Sequence, residues 1–108
     1  MSDDRQSANV ITRPDDTTSA YAVAIVTGGS GGTARDVARS LAARGYAVVV
    51  VYMRDRSEAE ATVDEILAAN GTALAVRADV TDELDVERLF EETTAAFGRV
   101  DVVVHTRE

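Results

Sequence analysis

Short apolar runs alternate along the chain with longer segments that have the periodicity of amphipathic helices. The four apolar runs are Tyr21–Val26, Tyr46–Tyr52, Thr72–Val76 and Val100–Val104. Their nearly continuous hydrophobicity and β-branched content predict strands that are buried on both faces. The segments between them, about residues 33–44, 57–70 and 82–97, predict helices. This alternation predicts an α/β fold with a parallel sheet and right-handed crossover connections.

Capping residues set the predicted helix boundaries. Ser57, followed by Glu60 three residues later, predicts a capping box at the start of the second helix. Thr81 or Asp82 is expected to cap the third helix. The helices are expected to end at residues that tolerate the left-handed conformation; these are Gly45, Asn70-Gly71 and Gly98. The apolar stripe predicted for the third helix comprises Leu84, Val86, Leu89, Phe90 and Phe97.

Residues 1–20 differ in composition from the rest of the chain and predict a disordered leader. They hold the only proline, Pro14, and are dominated by Ser, Thr, Asp and Asn, without an apolar period. Too few large apolar side chains are present to offset the entropy of ordering. We therefore expect one folded domain over residues 21–108, in keeping with a chain of 108 residues.

Composition and charge narrow the classes of function. The net charge of −8 disfavours nucleic acid and anionic membrane surfaces as partners, although one helix N-terminus and one arginine can still form a local anion site. The absence of cysteine excludes disulfides, thiolate metal sites and cysteine nucleophiles, and the single histidine, His105, excludes a histidine-based metal cluster. With a polar N-terminus and no long apolar run, the sequence predicts a cytoplasmic protein.

A glycine-rich turn, Thr27-Gly-Gly-Ser-Gly-Gly-Thr-Ala34, lies between the first strand and the first helix. Gly28 lets the chain turn sharply, and Gly32 removes a side chain where backbone must approach a phosphate. The helix N-terminus then offers free N–H groups, and Ser30 and Thr33 add hydroxyl donors. A turn of this kind can also serve only to link strand to helix. The spacing of the later strand ends favours dinucleotide binding.

The stretch from Tyr21 to Thr106 resembles the first, cofactor-binding half of a classical short-chain dehydrogenase/reductase. The segments that carry the resemblance are Thr27-Gly-Gly-Ser-Gly-Gly-Thr-Ala-Arg35, Ala78-Asp-Val-Thr81 and Phe97-Gly-Arg-Val-Asp-Val-Val-Val104. Thr27, Gly28 and Gly32 match the family's turn around the dinucleotide pyrophosphate. Ala34 departs from its last glycine, which permits close packing of helix on strand. The resemblance implies a three-layer, Rossmann-like half-domain whose four-stranded parallel sheet has the order 3-2-1-4, with helices on both faces.

The end of the second strand bears on the choice of cofactor. Members of the family that prefer NAD carry an acidic residue there, which binds the ribose 2′-hydroxyl. This chain instead has Tyr52, Met53 and Arg54, so NADP(H) is expected and NAD is less favoured, because Arg can pair a 2′-phosphate. Arg54 could also be a solvated loop charge, and Asp55 weakens its field. The resemblance assigns Asp79 and Val80 to the adenine ring. The expected cofactor-binding residues are Thr27, Gly28, Ser30, Gly32, Thr33, Tyr52, Arg54, Asp79 and Val80.

The family's catalytic residues have no counterpart in this sequence. After its fourth strand the family has an Asn-Asn-Ala-Gly segment, and here the chain reads His105-Thr-Arg-Glu108. The catalytic Ser and the Tyr-x-x-x-Lys pair would lie further on, and the chain contains no lysine. His105 could contact the cofactor ribose or be only a terminal polar residue. We expect no catalytic residue and no metal site here.

Three interpretations follow for the function of the chain. It could be a truncated or split piece of an oxidoreductase that transfers hydride between NADP(H) and a carbonyl or alcohol. It could instead be a nucleotide-binding module without turnover, or a nonfunctional remnant. Because only the third helix covers the second face of the sheet, we also expect weak stability, homo-oligomerisation or a complementing C-terminal half.

Overall fold

A computed structural model describes residues 22–28 and 32–106. The predicted leader and Ser30 lie outside the described residues. Seven elements alternate in the predicted order. They are β1 (Val23–Thr27), α1 (Gly32–Ala43), β2 (Ala47–Tyr52), α2 (Arg56–Ala68), β3 (Thr72–Arg77), α3 (Glu83–Phe97) and β4 (Val102–His105). The fourth strand begins two residues later than the sequence predicts, because the Asp101 backbone and side chain are used to join β4 to the start of β1.

The four strands form one parallel sheet in the order β3-β2-β1-β4, which confirms the predicted topology. In the register, Ile25 of β1 lies beside Val49 of β2 and Val103 of β4, and Val49 lies beside Leu74 of β3. The β-branched side chains of β1 and β2 are completely buried, since these strands have neighbours on both edges and helices on both faces. The carboxyl ends of all four strands therefore lie at one edge of the sheet.

The two faces of the sheet carry separate hydrophobic cores. One core joins α1 and α2 to the sheet through Val26, Ala34, Ala38, Val48, Val50, Ala59, Val63 and Ile66. The other joins α3 to the sheet through Ile25, Val49, Val51, Val76, Ala78 and Leu89. Ala34 is only 1% exposed, so the methyl group at this position packs into the first core. Among the described helices only α3 covers the second face, as the sequence analysis expects.

The observed N-caps confirm the prediction for α3 and correct the prediction for α2. Asp82 caps α3, because its carboxylate accepts a hydrogen bond from the Leu84 N–H at 2.9 Å. Asp55, not Ser57, caps α2, and its carboxylate accepts from the Glu58 N–H at 3.1 Å. The predicted capping box fails because the helix begins at Arg56, one residue before Ser57.

The apolar stripe predicted for α3 is too wide. Leu89 is 2% exposed, but Phe90 is 37% exposed and Leu84 is 74% exposed. Leu84 follows the cap closely and lies on the side of the helix away from Leu89, since five residues turn an α-helix through about 140°. The helices do end at the predicted residues, with Gly98 at φ 87° and Asn70 at φ 68°. None of the described helices is long and apolar enough to cross a membrane.

Candidate cofactor-binding site

The candidate site lies at the carboxyl edge of the sheet, where ligands bind in open α/β folds. Thr27 ends β1 and Tyr52 ends β2, and the loops that follow these two strands and β3 start at this edge. The structure brings together eight of the nine predicted binding residues there, and Ser30 is the one outside the described residues. They fall into two groups, one around the glycine-rich turn and one around Arg54 and Asp79.

Thr27 is held at the start of the turn by the end of β4. Its side chain is buried, and its hydroxyl lies 2.6 Å from His105 Nδ1 and donates to the Val104 carbonyl at 3.5 Å. The Thr106 hydroxyl and N–H donate to the Thr27 carbonyl at 2.8 and 3.3 Å. His105 therefore contacts the first residue of the turn, a contact that neither interpretation of this histidine included.

Gly28 has the conformation and the surroundings that only glycine satisfies. Its φ is +84°, a left-handed value that side chains with a Cβ rarely adopt. A Cβ at this position would overlap the Thr106 hydroxyl and lie 2.7 Å from the Thr106 carbonyl oxygen. The sharp turn that the sequence assigns to Gly28 is confirmed, and the packing of Thr106 against it adds a second reason for glycine.

Gly32 is the first residue of α1 and lies on the open side of the turn. A Cβ at Gly32 would have no atom of the described residues within 4 Å, so none of them packs against this side of the residue. Gly32 and Thr33 are both exposed, and no acidic residue lies in the first helical turn. As in any α-helix, the first N–H groups and the positive end of the dipole are directed out of this end of α1. The arrangement fits the pyrophosphate of a dinucleotide.

Arg54 and Asp79 form the second group. The Asp79 carboxylate accepts hydrogen bonds from the Thr81 hydroxyl at 2.6 Å and from the Thr81 N–H at 2.9 Å. These two bonds lower the pKa of Asp79, and the charges of Arg77 and Arg54 lower it further. The Arg54 and Val80 side chains are exposed, so both can reach a ligand.

Backbone bonds fix the loop that carries Asp79. The Ala78 N–H donates to the Tyr52 carbonyl at 2.9 Å, which joins the ends of β3 and β2. The Asp79 N–H donates to the Asp85 carboxylate of α3 at 2.9 Å. Sequence reasoning missed the roles of Thr81 and Asp85, although Asp side chains in loops commonly accept a hydrogen bond from the backbone two residues on, which forms an Asx turn.

Arg35, the last residue of the quoted turn segment, does not contribute to this edge. Its guanidinium pairs with the Glu65 carboxylate of α2, and Arg39 lies 3.5 Å from the same carboxylate. The hydrogen bond to Glu65 and its charge raise the pKa of Arg35. This ion pair connects α1 to α2 on the outer surface, so the part of the turn available to a ligand ends with Thr33.

Comparison with known proteins decides the family. Residues 22–106 match the family model described as short chain dehydrogenase. The chain belongs to the short-chain dehydrogenase family. Members of this family bind NAD(P) cofactors, and the match contains both groups of the candidate site. The resemblance identified from the glycine-rich turn and the later strand ends is therefore confirmed.

Similar short-chain dehydrogenases differ greatly in length. An uncharacterized oxidoreductase from Methylorubrum extorquens is 45% identical over 83 residues, which cover 77% of this chain and 34% of that protein. The homolog YusS from Bacillus subtilis is 41% identical over 83 residues, which cover 77% of this chain and 76% of YusS. The crystal structure of a dehydrogenase/reductase from Sinorhizobium meliloti superposes with a TM-score of 0.76 at 39% identity, covering 82% of this chain and 36% of that one. The chain spans about a third of the length of the first curated relatives it matches.

Proposed function

We propose that this chain binds NADP(H) in preference to NAD(H), as the cofactor-binding part of a short-chain dehydrogenase-type oxidoreductase. One observation carries the preference. Arg54 lies in the loop that follows β2 at the carboxyl edge, and the strand end before it, Tyr52-Met53, has no carboxylate to bind a ribose 2′-hydroxyl. A guanidinium at this place pairs well with a 2′-phosphate and gives no advantage to a free hydroxyl.

The glycine-rich turn is proposed to hold the pyrophosphate. Gly28, Gly32, Thr33 and Ser30 would supply backbone N–H groups and hydroxyls, and no described residue packs against the Cα of Gly32, where a phosphate would approach. Thr27 has a different role in this proposal. Its hydroxyl is occupied by His105, so it keeps the turn in position instead of contacting the ligand.

The adenosine end is proposed to lie over the loop that follows β3. Asp79 offers a carboxylate that is ionised at neutral pH, as an aspartate ordinarily is, and that can accept a hydrogen bond from an adenine amino group. Val80 is 40% exposed and offers an apolar contact to the ring. In this proposal Arg54 supplies the cation for the 2′-phosphate and Asp79 supplies the acceptor for the base.

The bound cofactor would supply hydride transfer to or from a carbonyl or alcohol carbon. The proton that accompanies hydride must come from another group. Tyr46 and Tyr52 flank or end β2, and the sequence has no lysine to lower the pKa of a phenol. We therefore propose that these 108 residues bind and orient the cofactor, and that acid–base catalysis needs residues outside them.

A titration with NADPH and NADH tests this proposal. The 108-residue chain is followed by thermal unfolding and by fluorescence of the reduced nicotinamide. At a hundred times its Kd, a ligand that binds only the folded state adds about 2.7 kcal/mol to the free energy of unfolding. We expect NADPH to raise the Tm well above the value reached with the same concentration of NADH. If a folded chain responds to neither nucleotide, the turn is architectural and the proposal is wrong.

A further inference from the structure

Arg77 is the last residue of β3 and lies beside Tyr52, the last residue of β2, at the edge of the sheet that carries the candidate site. We propose that Arg77 is a second guanidinium for the ribose 2′-phosphate, so that Arg54 and Arg77 together determine the preference for NADP(H). This inference rests on the proposed function. It adds a specificity-determining residue that lies on a different strand from the loop of Arg54 and that the sequence analysis did not include.

The register of the sheet fixes the face on which Arg77 lies. Alternate residues of a strand share a face, and Ala73 and Ala75 of β3 pack against the core under α1 and α2. Arg77 follows them at the same spacing. Its neighbour Tyr52 packs against the same core. The Arg77 side chain therefore projects on the face that α1 and α2 cover, and it is exposed there, at the end of the strand.

Arg54 leaves the sheet at the same edge and toward the same face. It lies in the loop 53–55 that connects Tyr52 to α2, and α2 packs on this face. The Ala78 N–H donates to the Tyr52 carbonyl at 2.9 Å, which bonds the residue after Arg77 to the residue before this loop. Neighbouring strands are about 4.8 Å apart. Two long side chains that start from adjacent strand ends can contact one phosphate group.

Neither of these two guanidinium groups forms an ion pair with a carboxylate of the described residues. The described arginines that do form ion pairs are Arg35 and Arg39 with Glu65, Arg56 with Glu60, Arg88 with Asp85 and Glu92, and Arg99 with Asp101. Acidic side chains are in excess in this chain, whose net charge is −8. Two cations that remain without a carboxylate partner at one edge are therefore available to an anionic ligand.

The carboxylates nearest in sequence make other contacts. Asp55, directly after Arg54, accepts from the Glu58 N–H at 3.1 Å and caps α2. Asp79, two residues after Arg77, accepts from Thr81. A phosphate monoester carries about 1.5 to 2 negative charges at neutral pH and has three acceptor oxygens, so it can accept from two guanidinium groups at once. A free ribose hydroxyl offers no charge to either group.

Isothermal titration calorimetry of the 108-residue chain with two nucleotides tests the role of Arg77. Adenosine 2′,5′-bisphosphate and adenosine 5′-monophosphate differ only in the 2′-phosphate. We expect R77Q to weaken binding of the bisphosphate roughly tenfold or more, since a charge-assisted contact is lost, and to leave binding of the monophosphate nearly unchanged. R44Q is the matched control, because it removes the same charge from an exposed arginine at the opposite edge of the sheet, and the bisphosphate should bind it nearly as tightly as the wild type.

The ratio of the two affinities separates a direct contact from an indirect effect. The charge of Arg77 also lowers the pKa of Asp79. If Arg77 acted only through Asp79 or through the fold, R77Q would weaken both nucleotides equally, and the inference would be wrong. It would also be wrong if folded R77Q kept the full preference of the wild type for the bisphosphate. A wild-type chain with no such preference would instead contradict the proposed function, and this inference with it.

R54Q provides a test that does not depend on the folding of an Arg77 variant. With Arg77 intact, R54Q should keep part of the preference for the bisphosphate. The double variant R54Q/R77Q should bind the two nucleotides with nearly equal affinity. A complete loss of the preference in R54Q alone would leave Arg77 without a role and would overturn the inference.

Discussion

Gly28 and Thr106 meet where the carboxyl ends of β1 and β4 adjoin, and the space between them admits no side chain at position 28. The Thr106 hydroxyl donates to the Thr27 carbonyl at 2.8 Å, directly beside the glycine. The backbone of Gly28 is left-handed, with φ at +84°. Thr106, which directly follows β4, thus packs against the first glycine of the turn. A substitution at either residue is therefore expected to change the contacts of the other.

Substitution G28A should therefore lower the free energy of unfolding by about 2–4 kcal/mol. A left-handed backbone costs a residue with a Cβ about 1–2 kcal/mol, and relieving the overlap with Thr106 costs at least about 1 kcal/mol more. Urea denaturation followed by circular dichroism measures the change.

Gly45 provides the matched control for G28A. It also has a left-handed backbone, with φ at +97°, but a Cβ there would meet no atom within 4 Å. G45A should therefore cost only the backbone term, about 1–2 kcal/mol. Equal losses in the two variants would show that contact with Thr106 adds nothing at Gly28.

The corrected cap of α2 gives a second prediction. Asp55 accepts from the Glu58 N–H, while Ser57 is already inside the helix and exposed. D55A should lower the free energy of unfolding by about 1 kcal/mol. S57A should change it by less than about 0.5 kcal/mol. Thermal or urea unfolding of the two variants compares them directly, and a larger loss for S57A would restore the capping box that the sequence predicts.

Much of the fold follows from the sequence because the strands are long apolar runs with clear boundaries. β1 and β2 are hydrophobic on both faces, a pattern that suits only central strands of a parallel sheet. The start of α2 was harder to predict, since Asp55 and Ser57 are both good caps two residues apart. The ion pair of Arg56 with Glu60 at 2.7 Å uses the side chain that a capping box would need. The sequence alone allows either Asp55 or Ser57 as the cap of α2. The ion pair of Glu60 with Arg56 shows that Glu60 does not form a capping box with Ser57.

The candidate site could be predicted where it depends on local sequence, and not where it depends on contacts between distant segments. The turn glycines and the end of β2 were visible as short motifs. The contact of Thr27 with His105 joins residues 78 positions apart, and it exists only because β1 and β4 are neighbours in the sheet. The bond from the Asp79 N–H to Asp85 likewise depends on how the loop enters α3. Exposure of Leu84 could not be predicted either, because its apolar character suggests burial.

The lowered pKa of Asp79 can be tested through Thr81. T81V keeps the β-branched shape but removes the hydroxyl donor, so the pKa of Asp79 should rise toward the usual value of an Asp, about 3.9. Carboxyl carbon NMR titration of wild type and variant measures the shift. An unchanged pKa in a folded T81V would show that the hydroxyl is not the main cause of the lowering.

The same carboxyl affects stability at acid pH, and the sign follows from proton binding. Because the pKa of Asp79 is lower in the folded state than in the unfolded chain, its contribution is fully present above about pH 4. It is lost as the pH falls through the folded-state pKa. T81V should therefore lose less stability than wild type between pH 5 and the onset of acid unfolding, roughly the interval in which unfolded carboxyls take up protons. A steeper loss in T81V would contradict this assignment.

Arg54 is the residue on which the proposed cofactor preference depends, and charge reversal there should abolish it. A hydrogen-bonded ion pair to a 2′-phosphate contributes about 1.5–3 kcal/mol, so R54E should weaken NADPH binding by roughly ten- to a hundredfold or more. NADH binding should change little, since NADH has no phosphate at that position. R44E controls for the effect of net charge on an anionic ligand, because Arg44 is exposed in the turn between α1 and β2, at the opposite edge of the sheet. Fluorescence titrations measure the affinity of both variants for both nucleotides. A loss of affinity confined to NADPH in R54E supports a direct contact of Arg54 with the 2′-phosphate. Equal losses in R54E and R44E would show that Arg54 acts only through the net charge of the protein.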